Sequence, residues 1–120
     1  MGTHKDLKVW QKSINLVKLV YVETKSFPKE ELFGLISQMR RSAVSIPSNI
    51  AEGFGRGGSK KECEHFTYIA LGSASELETQ LIISKELEYI KNEEYQTLNL
   101  LLSEIIKMLS ALINSMKPKE

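Results

Sequence analysis

Apolar residues recur at intervals of three and four positions along almost the whole sequence. That interval is the period of an α-helix with one buried face. The few glycines and prolines lie mostly between the periodic segments, where they would interrupt helices. No segment alternates apolar and polar residues as a half-buried strand would. The pattern therefore predicts an all-α protein with four helices over about residues 8–25, 29–53, 60–88 and 93–116.

Each predicted helix has an apolar stripe that we expect to form the core. The four stripes are Leu7, Trp10, Ile14, Val17 and Tyr21; Leu32, Ile36, Met39, Ala43, Ile46 and Ile50; Cys63, Phe66, Ala70, Ser73, Leu77 and Leu81; and Leu98, Leu102, Ile105, Leu109, Leu112 and Met116. The first and fourth helices also carry apolar residues outside these stripes. A helix that is apolar on two faces is usually covered on both, which predicts that copies of the chain self-associate. The alternative is wide-stripe packing within one bundle.

The connections between the predicted helices are short. Neighbouring helices joined in this way must run antiparallel, so we expect one domain over residues 1–120 with an up-down-up-down four-helix bundle. Pro47 falls inside the second helix, where it removes a backbone hydrogen bond and is expected to kink the chain. A complete break there would give five helices, but the periodicity continues to Ile50 and favours the kink.

Composition is that of an ordinary soluble globular domain, with 42% hydrophobic and 26% charged residues and a net charge of +1. No apolar run approaches the roughly 20 residues of a membrane span. The polar start, Met1 to Asp6, lacks the apolar stretch of a secretory signal. Cys63 is the single cysteine, so an intrachain disulfide is impossible. We therefore expect a cytoplasmic protein with no membrane association.

The sequence predicts no catalytic site, no cofactor and no metal. Asp6 is the sole aspartate and the two histidines have no suitable partner nearby, so no Ser-His-Asp or Cys-His arrangement is indicated. Glu62 and His65 have the Glu-x-x-His spacing of di-iron bundles, but such sites need the motif twice. Glu62 also fits a capping box with Ser59. The prediction is a protein that is not an enzyme.

A glycine-rich segment, Gly53 to Gly58, precedes the third predicted helix, contains Arg56 and lies close to Lys60 and Lys61. The segment lacks the spacing and the preceding strand of a P-loop. Free amides at a helix start next to three cations nevertheless favour phosphate. These three residues are therefore the candidate phosphate or nucleic-acid site. The alternative is a solvated turn whose glycines only permit positive φ angles.

Charged residues also lie beside the predicted core. Arg40 and Arg41 flank the stripe of the second helix, and Glu76 and Glu78 flank Leu77 on the third. Charges beside a core are usually paired, so the arginines with Glu52, Glu76 or Glu78 predict an interhelical polar network. A ligand pocket lined by the same groups is the alternative.

Several motifs resemble one known family. They are Asp6 to Trp10, Phe33-Gly34-Leu35, Gln38 to Gly53, Gly55-Arg56, Gly72-Ser73 and Glu76-Leu77-Glu78. They resemble the four-helix-bundle proteins encoded in bacterial 23S ribosomal RNA intervening sequences, from about residue 6 to 113. The resemblance is most specific from Arg40-Arg41 to Glu52-Gly53. It also extends to the accessory variability proteins of diversity-generating retroelements, which share this architecture.

The resemblance implies a four-helix bundle assembled as a homopentamer, and a role in binding nucleic acid. It places Arg40, Arg41, Asn49, Glu52, Arg56 and Glu78 on recurring polar positions of the family, which adds Asn49 to the predicted polar network. The leading hypothesis is a non-enzymatic oligomeric scaffold that binds structured RNA or a ribonucleoprotein through Arg56, Lys60 and Lys61. The alternative is a protein-protein interaction module with no nucleic-acid role.

Overall fold

The computed structural model describes residues 2–55 and 57–118. In these residues the structure is all-helical, with four α-helices and no strand. The helices are α1 (Lys8–Thr24), α2 (Ser37–Phe54), α3 (Lys60–Glu86) and α4 (Asn92–Met116). A short 3-10 helix, His4–Asp6, precedes α1. The predicted fold class, a bundle of four helices, is confirmed.

Each helix packs against its sequence neighbours, and α1 also packs against α4. Along the contact between α2 and α3, residue numbers rise on one helix as they fall on the other. The Ser84 hydroxyl lies 3.3 Å from the Met39 sulfur, whereas the hydroxyls of Ser45 and Ser73 are 2.7 Å apart. These two helices are therefore antiparallel. The molecule measures 47 × 25 × 21 Å.

The second predicted helix begins later than expected. Residues Lys29–Glu31 form a 3-10 turn and Leu32–Ile36 form a π-helical turn, and regular α-helix begins only at Ser37. Gly34 interrupts the helical geometry with φ −112° and ψ −109°. As a result Leu32, expected in the core, is exposed. Pro47 lies buried inside α2, and the kink expected near it stays a prediction.

The core stripes expected on α2 and α4 are largely confirmed. Met39, Ala43, Ile46 and Ile50 of α2 are buried, as are Leu98, Leu102, Ile105 and Leu109 of α4. By length and composition alone α4 would be apolar enough to cross a membrane. In the structure, however, this stripe is packed in the common core of the bundle.

The stripe expected on α1 is only partly correct, because Leu7, Trp10 and Val17 pack half-buried against the core but do not form its centre. The buried residues of this helix are Val9, Ser13, Leu16, Val20 and Thr24, whereas Ile14 and Tyr21 are exposed. The two buried hydroxyls explain the difference, because each donates a hydrogen bond to a carbonyl of its own helix at 2.7 Å, Ser13 to Trp10 and Thr24 to Val20. A polar side chain satisfied in this way is compatible with a core position.

The contact between α2 and α3 is close because small residues line it. A Cβ atom added to Gly53 would lie 3.2 Å from both the Cys63 carbonyl oxygen and the Phe66 Cβ. Ala43, Ala70 and Ala74 are fully buried in the same core. Glycine and alanine therefore set the distance between the two helices, and a larger side chain at Gly53 would force the helices apart.

The buried stripe of α4 gives a direct test of the core. We expect Leu102→Ala to lower the free energy of unfolding by about 2–5 kcal/mol, because Leu102 is fully buried and its truncation leaves a cavity. The matched control on the same helix is Leu100→Ala, where the side chain is 71% exposed and the expected change is below about 0.5 kcal/mol. Urea denaturation followed by circular dichroism measures both. Equal effects of the two substitutions would contradict the assignment of the buried face.

Candidate functional site

An exposed apolar groove runs between α1 and α2. We define this α1–α2 groove by the residues that line its two adjoining clefts, which meet at Val44. The wider cleft, about 700 Å³, is lined mainly by Tyr21, Phe33, Arg40, Arg41 and Val44. The smaller cleft, about 300 Å³, is lined mainly by Trp10, Ile14, Val17, Pro47 and Ala51. An apolar surface of this extent is typical of a contact site rather than of free solvent-facing helix.

Phe33 is the most exposed aromatic residue described, with 92% of its surface accessible. The turn that carries it is held by Glu31, whose carboxylate accepts hydrogen bonds from the Leu35 amide at 3.3 Å and the Tyr89 hydroxyl at 2.9 Å. The bond to Glu31 raises the pKa of the Tyr89 hydroxyl above its ordinary value, so the hydroxyl remains a donor at neutral pH. Phe27 packs on the Tyr89 ring at 5.4 Å between centroids. Phe33 therefore projects from a fixed turn.

The two predicted arginines lie at this groove. The Arg40 Nε donates to the Thr24 hydroxyl at 3.0 Å, and its guanidinium lies 4.5 Å from the centroid of the Tyr21 ring. Arg40 thus joins α2 to α1. Arg41 is exposed at the edge of the wider cleft. Both guanidiniums make that part of the groove positively charged.

A second polar cluster, the α2–α3 polar seam, consists of Ser42, Ser45, Asn49, Ser73 and Glu76. The Ser42 hydroxyl donates to the Glu76 carboxylate at 2.9 Å, and the hydroxyls of Ser45 and Ser73 are 2.7 Å apart. The Asn49 amide donates to the carbonyl and hydroxyl oxygens of Ser45 at 2.8 and 2.9 Å. The Ser42–Glu76 and Ser45–Ser73 contacts cross between the helices and fix the register of α2 against α3, whereas the Asn49 bonds lie within α2.

The seam includes Asn49 and Glu76 of the six residues expected to form the interhelical network. Arg40 is turned towards α1, as described above, while Glu52 and Glu78 are half-buried on α2 and α3. Sequence reasoning missed the three serines. Their spacing was a usable signal, because Ser42, Ser45 and Asn49 recur at three and four positions on one helical face.

The candidate phosphate site lies at the start of α3. Lys60 and Lys61 are exposed in its first turn, and the Ser59 hydroxyl caps the helix by accepting from the Glu62 amide at 3.1 Å. Gly57 has a φ of +64°, a left-handed conformation that suits glycine. Arg56 lies outside the described residues. Two of the three predicted cations are therefore exposed in the first turn of α3.

The same end of α3 contains the residues weighed for metal binding and thiol chemistry. His65 is exposed, and within residues 2–55 and 57–118 no group of three or more His, Cys, Asp or Glu side chains is arranged to hold a metal ion. Burial raises the pKa of the half-buried Cys63 thiol, and a hydrogen bond with Thr67 partly offsets this. The thiol is consequently protonated at neutral pH, which disfavours a nucleophilic role.

Two carboxylates meet where α1 packs on the start of α4. Burial and the nearby Glu94 carboxylate raise the pKa of Glu23 above its ordinary value of 4.5, and Lys91 partly offsets the rise. Among the described residues, the buried Oε1 atom of Glu94 has no hydrogen-bond partner. Further along the same helix pair, Lys12 and Glu104 form an ion pair at 3.1 Å. The first contact is thus electrostatically unfavourable and the second is favourable.

Comparison with known proteins agrees with the resemblance noted in the sequence. A sequence model of the family described as 23S rRNA-intervening sequence protein matches residues 5–111. A crystal structure of a protein of unknown function from the S23 ribosomal protein family of Bacteroides thetaiotaomicron VPI-5482 is 31% identical to this chain, with a TM-score of 0.78. The match covers 88% of this chain and 97% of that protein. A search of the curated proteins finds no significant match. The relation to the retroelement proteins stays a prediction.

The carboxylate pair predicts a pH-dependent gain in stability. We expect Glu23→Gln to raise the free energy of unfolding at pH 7 by up to about 1 kcal/mol, because it removes a partly buried charge repelled by Glu94. A raised folded-state pKa makes the ionised form destabilising, so the gain should shrink as the pH falls through the raised folded-state pKa and vanish below the ordinary value of 4.5.

Thermal denaturation between pH 4 and 8 measures this effect. The matched control is Glu104→Gln, which makes the same chemical change on the same helix pair but removes a favourable ion pair, and it should give no gain at pH 7. A stability gain of Glu23→Gln that is independent of pH would contradict the electrostatic explanation.

Proposed function

The chain belongs to the 23S rRNA-intervening sequence protein family, and from this premise we propose that it is a non-enzymatic binding protein that works as a homo-oligomer, a pentameric ring. The observation that carries the proposal is the exposed α1–α2 groove, with Phe33 at 92% exposure beside Tyr21 and Val44. Leaving such a surface in water is unfavourable, and a second copy of the chain is the partner that is always present. Nothing in the comparisons points to an enzymatic activity.

The binding activity that we propose for the ring is recognition of structured RNA or a ribonucleoprotein through Arg56, Lys60 and Lys61. Adjacent exposed cations at the positive end of α3 favour phosphate oxygens. One such patch on a chain of net charge +1 would bind weakly. A ring presents one patch for each copy, and several weak sites on one body bind a long polyanion far more tightly than one. Oligomerisation and RNA binding are therefore parts of the same proposal. The proposal also assigns the protein to the cytoplasm.

The alternative is a protein-protein interaction module with no nucleic-acid role. The groove favours it, because the surface is mainly apolar, and an apolar surface of this kind also suits a protein partner. Capture of a specific partner protein that survives nuclease treatment, together with no RNA binding at low salt, would support this alternative over the RNA hypothesis.

The oligomeric state is tested by light scattering coupled to size-exclusion chromatography. We expect a mass of five times the 13.6 kDa chain, because a cyclic assembly covers the groove of every copy. The measurement is repeated over a hundredfold dilution to separate a stable ring from weak association. A mass of one chain at all concentrations would contradict the proposal.

RNA binding is tested with a variant that reverses three charges, Arg56→Glu with Lys60→Glu and Lys61→Glu. Its affinity for structured ribosomal RNA should fall at least about tenfold, and wild-type affinity should fall as salt rises because phosphate contacts release counterions. Fluorescence anisotropy at several salt concentrations measures both effects.

The matched control for this test reverses Lys25, Lys107 and Lys117, three exposed cations distant in sequence from the start of α3. It makes the same change in net charge and should retain more of the affinity. Binding that does not depend on salt, or an equal loss in both variants, would contradict the assigned site.

A further inference from the structure

The groove carries both a projecting aromatic side chain and a cleft that fits one. Phe33 projects from the turn held by Glu31, and its 92% exposure means that its own chain does not cover it. Aromatic residues held rigidly at a surface are typical hot spots of protein interfaces, since little conformational freedom is lost when they are buried. The turn therefore presents Phe33 in a form that suits insertion into an apolar site on another molecule.

The smaller cleft has the size and polarity to receive a phenylalanine ring. Its volume is about 300 Å³, and its apolar lining includes Trp10, Ile14, Val17 and Pro47. Apolar cavities of roughly 150 Å³ already hold a benzene molecule. Among the described residues that line the cleft, His4 is the one titratable side chain. An aromatic ring entering the cleft therefore displaces water from mainly apolar walls.

Phe33 does not fill this cleft in its own chain. Pro47 and Ala51 lie 14 and 18 positions beyond Phe33, and α2 rises about 1.5 Å for each residue, so turn and cleft lie at different ends of the groove. We infer that Phe33 of one copy inserts into the Trp10–Ile14–Pro47 cleft of the next copy, head to tail. This inference rests on the proposed self-assembly and names its contact surface.

Charge supports a head-to-tail contact rather than a symmetric pair. Arg40 and Arg41 lie between the turn and the cleft, so two grooves facing each other about a two-fold axis would bring four guanidiniums together. The head-to-tail arrangement keeps the arginine pairs apart. It brings the exposed Lys29 and Glu30, which carry no net charge together, towards a rim where the exposed Lys18 can pair with Glu30. Lys18 follows Ile14 by one helical turn and therefore lies beside the cleft. Contacts of this type close into rings.

The test uses one variant for each half of the contact. Phe33→Ala removes the inserted ring and Ile14→Glu places a charge in the cleft, and both positions are exposed, so folding should be unaffected. Each variant alone should be monomeric in sedimentation velocity runs at concentrations where wild type is assembled. The dissociation constant of Phe33→Ala should rise at least about thirtyfold, the effect of losing a hot spot. Leu100→Glu on α4 is the matched control and should assemble as wild type does.

Mixing the two variants gives the sharpest outcome. Ile14→Glu still supplies Phe33 and Phe33→Ala still supplies an intact cleft, so the mixture should form one junction and stop at a dimer, whereas wild type exceeds two chains. A wild-type assembly unaffected by Phe33→Ala would overturn the inference and leave the proposed oligomer standing. A wild-type dimer would overturn the head-to-tail geometry, and a wild-type monomer would overturn both proposals.

The same variants distinguish other occupants of the groove. If Phe33→Ala keeps the wild-type mass but loses affinity for RNA, the groove binds RNA and the inference is wrong. If it keeps the wild-type mass but loses a protein partner captured by wild type, the groove binds that partner and the inference is equally wrong. Thermal denaturation of each variant verifies that the bundle is folded in every comparison.

Discussion

The close contact between α2 and α3 is the constraint on which the rest of the structure depends. Glycine and alanine bring these two helices together, and the polar seam from Ser42 to Glu76 fixes their register. The polar groups of the seam form hydrogen bonds with one another, so the seam favours one arrangement of the two helices and leaves few buried polar atoms unpaired. Once this pair is fixed, α1 and α4 need only supply apolar stripes that cover the open side of the pair.

The same pair also determines the position of the groove. Tyr21 and Arg40 hold α1 against α2 through a cation-π contact and a bond to Thr24. The face of α1 that carries Ile14 and Tyr21 is consequently turned to the surface rather than to the core. The apolar groove is thus a result of how the bundle packs, and a monomer has no means of burying it.

Sequence reasoning predicted the fold well because the strongest helices have clear periodicity. Leu98, Leu102, Ile105 and Leu109 form an uninterrupted stripe, and the structure buries all four. It was only partly correct for α1, because that helix has two possible stripes and the wholly apolar one is the less buried. The correct stripe includes Ser13 and Thr24, whose hydroxyls are satisfied by carbonyls of the same helix. A count of apolar residues does not detect that these hydroxyls form hydrogen bonds within their own helix.

The candidate site was predicted only in part for a similar reason. Lys60 and Lys61 could be identified because a glycine segment and a capping serine mark the start of α3. The exposure of Phe33 could not be predicted, because the sequence around Leu32 and Phe33 has the pattern of a continuous helix. Its exposure depends on the non-helical backbone at Gly34 and on the clamp by Glu31, which reaches across to Tyr89, 58 positions away. A contact between residues so far apart in sequence becomes visible only in the folded structure.

The position of Trp10 has a practical consequence. It is the single tryptophan of the chain and lies half-buried in the cleft, with the His4 ring against it at 5.3 Å. Indole emission depends on the polarity around the ring, so the intrinsic fluorescence of the unlabelled protein reports on the cleft itself. The molecule therefore carries its own fluorescent probe at the place where an inserted side chain of another copy would displace water.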